Sequence, residues 1–181
     1  DFTGQEEIVK VVKTLIEGSK DTDFFPSMIF WGPPGSGKTT LARIIAQELN
    51  KPFFEFSAVN ASIKDIEKII PIKENNKNLD LGFNKEISNE KHPVIFIDEI
   101  HRFNKAQQDF LLPHVETGNI VFIGATTENP SFEVINPLMS RCRVLILKQH
   151  TLEDLIKIVT KGTVLLEKNI DSDALNYLVE S

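Results

Sequence analysis

The stretch from Phe30 to Ala42, FWGPPGSGKTTLA, limits what this chain can fold into more than any other part of the sequence. It leaves an apolar run, passes through three glycines and two prolines, and becomes helix-forming around Lys38. A GxxxxGKT pattern between a strand and a helix is a P-loop, whose backbone N–H groups converge on phosphate oxygens. The residues expected to hold the phosphates are Gly32, Pro33, Pro34, Gly35, Ser36, Gly37, Lys38, Thr39 and Thr40.

Two side chains of this motif have individual roles. Lys38 is expected to bind the β- and γ-phosphates of a nucleoside triphosphate, beside the positive end of the helix that begins there. The hydroxyl of Thr39 is expected to bind Mg²⁺. The motif therefore predicts a triphosphate and its magnesium ion as ligands.

A second motif, VIFIDEIHRF, ends a buried strand in two acids, Asp98 and Glu99. Open α/β sheets bind their ligands at the carboxyl ends of the strands. We expect Asp98 to bind Mg²⁺ through water and Glu99 to polarise the water that attacks the γ-phosphate. A protein that keeps a nucleotide only as a structural ligand needs no such base, so Glu99 predicts hydrolysis.

Two further candidates lie near the ends of other strands. VFIGATTENPSF contains Thr126 and Thr127, and one of these hydroxyls, with Thr127 favoured, is expected to bond the γ-phosphate or the attacking water. Arg141, in NPLMSRCRVLIL, lies on a turn before a strand. Taken alone, an arginine in that position is typical of a surface ion pair.

Short β-rich runs alternate with helical periodicity along the chain, which predicts an α/β fold with a parallel sheet covered by helices on both faces. Each predicted strand is apolar enough to be buried on both faces. The strands are expected at 28–31, 53–57, 94–98, 120–125 and 144–147. The helices are expected at about 38–50, 63–70 and 105–114, with a short helical turn after Pro137.

The domain organisation follows from changes in composition. Residues 1–149 are predicted to form the nucleotide-binding core, in which the Asn-, Lys- and Glu-rich segment 71–93 is an exposed, flexible insertion. Thr151-Leu152-Glu153-Asp154 resembles a capping box and opens a new helical pattern. We therefore expect 150–181 to be the start of an all-helical lid, and the chain to be a fragment cut at both ends.

Charge and cysteine content narrow the function classes. With 20 Lys and Arg against 26 Asp and Glu, the net charge of -6 argues against a broad DNA-coating face, so any nucleic-acid contact is expected to be local. The single cysteine, Cys142, cannot form an internal disulfide, and we interpret it as a small buried residue in a protein of the reducing cytoplasm. No apolar stretch reaches the roughly 20 residues of a membrane span.

The motifs together resemble those of a known family. GPPGSGKT, the strand-terminal DE, ATTENPSF and SRC are similar to the AAA+ ATPases. The longer blocks FTGQEEI, FIDEIHRFNKAQQDFLLPHVETG and IGATTENPSFEVINPLMSRCRV resemble the replication-associated recombination protein A family, whose eukaryotic relative is the Werner helicase interacting protein. These blocks span most of residues 1–147, with the 71–93 segment as a local departure.

The resemblance implies roles for further residues. Arg141 would act as an arginine finger supplied in trans to the nucleotide of a neighbouring subunit, and Thr127 would be the sensor. Asn60 matches a polar residue that in related proteins holds the catalytic glutamate away from water. FTGQEEI corresponds to the segment that lines the adenine pocket.

At the level of the whole protein, the resemblance implies ATP hydrolysis at stalled replication forks or DNA ends. It also implies single-stranded DNA, single-stranded DNA binding protein and a homotetramer as partners, in the nucleoid region of the cytoplasm. Two alternatives stay open: a Holliday-junction branch-migration motor of the RuvB type, and a clamp-loader subunit that mainly scaffolds. Contact of His101, Arg102 and Lys105 with DNA also stays open against an exposed polar turn.

Overall fold

One five-stranded sheet organises the part of the chain that the structure, a computed structural model, describes: residues 2–22, 24–70 and 92–180. All four strand pairings are parallel and the strand order is β2-β3-β4-β1-β5. The carboxyl ends of the strands therefore share one edge of the sheet. The strands are β1 (Met28–Trp31), β2 (Phe53–Ser57), β3 (Val94–Asp98), β4 (Val121–Thr126) and β5 (Arg143–Ile146).

The prediction that every strand is buried on both faces is correct for the centre of the sheet and wrong for its margins. β3 and β4 are buried almost throughout, and so are the first three residues of β1. β2 and β5 form the two edges, where Phe54 is 36% and Ile146 is 54% exposed. An edge strand has a neighbour on one side only, and the helices lie over the middle of the sheet.

Eight α-helices accompany the sheet within the described ranges. They are α1 (Glu6–Thr22), α2 (Lys38–Glu48), α3 (Ile63–Glu67), α4 (Lys105–Glu116), α5 (Pro130–Glu133), α6 (Asn136–Met139), α7 (Leu152–Leu165) and α8 (Ser172–Glu180). The sequence predicted α2, α3 and α4 with ends displaced by up to three residues, and α1 was not predicted. The capping box expected at Thr151 is present before α7, and a second capping box is found at Asn104 before α4.

Helices cover both faces of the sheet, as predicted. On one face, α1 and α2 pack on side chains such as Phe30, Phe96 and Ile123. On the other face, α3, α4 and α6 pack on Ile95, Phe122 and their neighbours. The two apolar clusters bury β1 and β4 between them at the centre of the sheet, and the loops of the candidate site follow these strands.

Most of the segment expected to be a flexible insertion, 71–91, lies outside the described residues. Its last two residues, His92 and Pro93, are described, and they belong to the folded core because Pro93 is buried and its carbonyl accepts a hydrogen bond from Val121. The flexible insertion therefore stays a prediction for residues 71–91. None of the helices in the described ranges has the length and apolar character needed to cross a membrane.

Candidate active site

The glycine-rich loop joins the end of β1 to the start of α2 and is held against the strands on both sides. The N–H of Gly32 donates to the carbonyl of Thr126 at the end of β4 (3.1 Å), and the N–H of Leu147 donates to the carbonyl of Trp31 (2.8 Å). A Cβ atom on Gly32 would lie 2.3 Å from the carbonyl oxygen of Leu147. Only glycine allows the two backbones to approach this closely.

Gly37 caps the start of α2 in the left-handed conformation, with φ of 90°. An added Cβ would also meet the ring of Phe2 at 2.7 Å. The ring of His150 lies 6.4 Å from the Phe2 ring, between centroids. The leading segment that carries Phe2 therefore contacts the loop.

Lys38 is 8% exposed, and its ammonium group is held by the loop itself. The Nζ atom donates to the carbonyls of Gly32 and Pro33, both at 2.8 Å. Burial lowers the pKa of Lys38, and the negative charges of Asp98 and Glu99 offset part of this effect. The ammonium group of Lys38 thus lies within the loop, close enough to both acids for their charges to raise its pKa.

The two acids follow directly from the end of β3. Asp98 is the last residue of the strand, and its Oδ1 accepts a hydrogen bond from the N–H of Glu99 (3.1 Å). Glu99 has a φ of 53°, a left-handed conformation that costs a non-glycine residue about 1 kcal/mol or more. This sharp turn directs the chain away from the sheet immediately after the strand.

One cavity of about 370 Å³ brings most of the predicted residues together. It is lined by Pro34, Gly35, Gly37, Lys38, Thr39, Thr40, Asp98, Glu99 and Thr127. Gly32 and Pro33 do not line it, but their carbonyls accept hydrogen bonds from Lys38, while Ser36 is buried in the loop and its hydroxyl oxygen has no hydrogen-bond partner among the described residues. An ammonium group, two carboxylates and several hydroxyls in one cavity suit a polyphosphate with a hard, oxygen-preferring cation.

The two neighbouring threonines differ in their surroundings. The Thr126 hydroxyl is fully buried, donates to the carbonyl of Glu128 (3.2 Å) and accepts from the Glu128 N–H (3.0 Å). Thr127 lines the cavity instead. The structure therefore places beside the candidate phosphate site the threonine that the sequence analysis favoured.

His101 lies next to this site and contacts Glu99, whereas the sequence analysis considered His101 only as a possible contact with DNA. It lies in a 3-10 helical turn, Ile100–Arg102, with a side chain that is only 12% exposed. Its Nδ1 atom is 3.1 Å from Oε2 of Glu99 and 3.0 Å from Oγ1 of Thr126. Asn60, which the resemblance pairs with Glu99, is exposed.

Arg141 is not part of this cavity. It follows α6, where its Nη1 donates to the carbonyl of Pro137 (2.7 Å) and its Nη2 forms an ion pair with Glu116. β5 begins two residues later at Arg143, which is level with the first residue of β1. Arg141 therefore lies at the amino-terminal edge of the sheet, opposite the edge that carries the P-loop of its own subunit.

Comparisons with known proteins agree with this geometry. Residues 28–150 match the model of the AAA family, "ATPase family associated with various cellular activities". The chain is 42% identical to replication-associated recombination protein A of Haemophilus influenzae, over 93% of this chain and 38% of that protein. It is 44% identical to ATPase WRNIP1 of Dictyostelium discoideum, over 99% of this chain and 20% of that protein.

A solved structure shares the fold. The chain superposes on the Thermotoga maritima RuvB Holliday junction branch migration motor with a TM-score of 0.74 and 31% identity, over 98% of this chain and 56% of that one. The chain spans less than two fifths of the length of the first bacterial relatives. The resemblance found in the motifs is confirmed, and the chain belongs to the AAA family of ATPases.

Proposed function

We propose that this chain is the ATP-hydrolysing core of a protein of DNA replication, recombination and repair, acting at stalled replication forks or DNA ends. The observation that carries the enzymatic part is the single cavity in which Lys38, Asp98 and Glu99 meet. The replication part is supported by the names of the relatives, replication-associated recombination protein A among them. In this proposal residues 1–149 are the nucleotide-binding core and 150–181 begin the lid.

The loop and the strand end divide the work of binding. Lys38 would exchange its two loop carbonyls for the β- and γ-phosphates of ATP, which its ammonium group reaches from the same loop. Thr39 and Asp98 would hold Mg²⁺, whose charge offsets that of the phosphates when it is bound. The hydroxyls of Ser36 and Thr40 and the backbone N–H groups complete the set of phosphate donors.

Glu99 and Thr127 would act on the water molecule. The carboxylate of Glu99 would accept a proton from the attacking water as general base. The Thr127 hydroxyl, in the same cavity, would orient that water or the γ-phosphate. A restraining role for Asn60 is less well supported, because its side chain is exposed and Glu99 contacts His101 instead.

Arg141 would complete the site of a neighbouring subunit. Its position at the far edge of the sheet excludes contact with its own P-loop, which supports action in trans. An arginine finger contributes about 10³- to 10⁵-fold in rate, or roughly 4 to 7 kcal/mol. To reach a neighbour's phosphates the guanidinium group would first leave Glu116.

The remaining partners are proposed from the resemblance. They are single-stranded DNA or DNA ends, single-stranded DNA binding protein and further copies of the same protein in a tetramer, in the cytoplasm near the nucleoid. A branch-migration motor is the second candidate, because the RuvB structure covers 98% of the chain. A scaffolding clamp-loader subunit is disfavoured because Lys38, Glu99 and Arg141 are all present.

The first test is ATP turnover by the intact protein, with and without duplex DNA that carries single-stranded ends, beside a Lys38→Ala control. We expect turnover that these ends stimulate and that the control lacks. Stimulation by four-way junctions alone would favour the branch-migration alternative, and turnover indifferent to DNA would refute the fork assignment.

A further inference from the structure

The ring of His101 lies between Thr126, the last residue of β4, and Glu99, the proposed base. The side chain is 12% exposed and lies on the turn that directly follows β3. Its Nδ1 atom is within 3.1 Å of one oxygen in each direction, Oγ1 of Thr126 and Oε2 of Glu99. A histidine that contacted DNA at the protein surface would expose its ring to solvent, and the ring of His101 is mostly buried.

The carboxylate of Glu99 indicates which ring nitrogen of His101 carries a proton. A carboxylate oxygen accepts hydrogen bonds, and Nδ1 of His101 lies 3.1 Å from Oε2 of Glu99. A bare lone pair on Nδ1 would face that oxygen unfavourably, so the tautomer with the hydrogen on Nδ1 is favoured. The Thr126 hydroxyl, 3.0 Å from the same nitrogen, then accepts from Nδ1 and donates to the carbonyl of Glu128 (3.2 Å).

The same hydrogen is available to Glu99. The Oε2 atom of Glu99 is buried and has no hydrogen-bond partner in the described part of the chain, although Nδ1 of His101 is 3.1 Å away. A buried carboxylate oxygen without a donor is unfavourable. A small rotation of the imidazole ring shares the Nδ1 hydrogen between Thr126 and Glu99.

We propose that His101 is a positioning residue for Glu99: anchored by the Thr126 hydroxyl, its Nδ1–H fixes the Glu99 carboxylate towards the cavity. This inference rests on the proposed function, because it assumes that Glu99 is the base. His101 itself lies outside the set of residues that line the cavity. It also links the base to β4, whose next residue is the proposed sensor Thr127.

The test uses the different reach of two amides. The side-chain nitrogen of asparagine is two bonds from Cβ, as Nδ1 is, whereas that of glutamine is one bond further. In the intact protein we expect His101→Ala and His101→Gln to lower kcat by about ten- to hundredfold, the loss typical of residues that orient a reactive group. His101→Asn should keep most of the turnover, and the Kd for ATP should stay unchanged in all three variants.

The other outcomes would overturn the proposal. Wild-type turnover in all three variants would show that Glu99 needs no positioning. The same loss of turnover in all three variants would refute the assignment of the Nδ1 hydrogen. A higher Kd for ATP would indicate that His101 has a structural role. Faster turnover in His101→Ala would show that the contact between His101 and Glu99 restrains the base. Arg102→Ala, on the exposed neighbouring position of the same turn, is the matched control, and its ATP turnover measured without DNA should equal that of the wild type.

Glu99→Gln separates this proposal from the one beneath it. We expect that variant to bind ATP and to lose turnover. If Glu99→Gln turned over normally, the assignment of the base would fail. If it were inactive while His101→Gln and His101→Ala were normal, only the role of His101 would fail.

Discussion

The ammonium group of Lys38 is the residue-scale centre of the site. Its Nζ atom donates hydrogen bonds to the carbonyls of Gly32 and Pro33. Burial lowers the pKa of Lys38 while the nearby acids Asp98 and Glu99 raise it. The carbonyls therefore stabilise a buried cation, and in the proposed function the binding of a triphosphate would exchange these oxygens for phosphate oxygens without moving the charge into a new environment.

Cys142 gives a residue-scale prediction that depends on pH. Burial raises the pKa of its thiol from an ordinary 9.0 to about 12. Because the thiolate is the reactive form, alkylation by iodoacetamide near neutral pH should be slow in the folded protein and fast after unfolding in urea. Mass spectrometry of the alkylated protein measures both rates, and fast labelling without denaturant would contradict the burial of this thiol.

The same shift fixes the sign of a stability change. The folded state keeps a proton that the unfolded chain loses above its ordinary pKa of 9.0. The contribution of Cys142 to the free energy of unfolding is therefore fully present below pH 9.0 and is lost as the pH rises towards about 12. A Cys142→Ala variant should lack this component of the alkaline decline.

Residues tied to a local motif could be predicted from the sequence, and residues tied to a distant partner could not. The P-loop spacing alone placed Lys38 and Thr39 in the cavity. The sequence has no signal for the contact of His101 with Thr126, which lies 25 positions away and is brought near by the pairing of β3 with β4. In the same way, the Arg141–Glu116 ion pair was expected only as a generic surface pair.

Among the elements, the helix at Glu6–Thr22 shows where pattern analysis failed. Val12 and Ile16 are buried against the sheet, while Val11 is 40% exposed, so the apolar stripe is narrow within a charged segment. The predicted burial of the edge strands on both faces was wrong for a different reason. Phe53, Phe54 and Phe56 read as a buried strand, but position in the sheet decides burial, and strand order cannot be derived from the apolar content of one strand.

Gln108 connects three elements and gives an element-scale prediction. It is 2% exposed, donates to the carbonyls of Phe103 (3.0 Å) and Glu133 (3.1 Å), and accepts from the N–H of Ile135 (2.9 Å). Gln108→Met keeps the length and leaves three backbone groups without a partner. We expect the free energy of unfolding to fall by about 3 kcal/mol, roughly 10 °C in Tm.

Thermal unfolding followed by circular dichroism measures this loss. The matched control is Asp109→Asn, at the exposed next position of α4, which should leave Tm nearly unchanged. A Tm for Gln108→Met equal to that of the control would show that the backbone groups find other partners. The three hydrogen bonds of the Gln108 side chain would then not be what stabilises the packing of the turn after β3 against α5 and α6.

At the scale of the whole molecule, the parallel sheet separates two functional groups. The P-loop and the two acids lie at the carboxyl ends of the strands, and Arg141 lies before the amino end of β5. A site that needs both groups cannot be completed within one copy. Under the arginine-finger role proposed for Arg141, the face that carries this residue would have to meet the P-loop edge of another copy, in a head-to-tail contact of the kind that closes into rings.

Mixing two inactive variants tests this arrangement. Lys38→Ala removes the ammonium group that would bind the phosphates and leaves Arg141 intact, while Arg141→Ala leaves the P-loop intact. An assembly made of either variant alone should therefore turn over ATP very slowly. After subunit exchange at equal amounts, about one quarter of head-to-tail interfaces pair an intact P-loop with an intact arginine. Turnover should rise to a corresponding fraction of the wild-type rate.

Two controls make the mixing experiment decisive. Arg143→Ala removes an exposed arginine two residues away, and its own assembly should turn over ATP near the wild-type rate. That result would show that loss of positive charge at this edge of the sheet is not by itself harmful. Nucleotide binding by Arg141→Ala should be retained, since its own cavity contains no part of that side chain. Normal turnover by the Arg141→Ala assembly would refute the finger, and an inactive mixture of exchanged subunits would refute its action in trans.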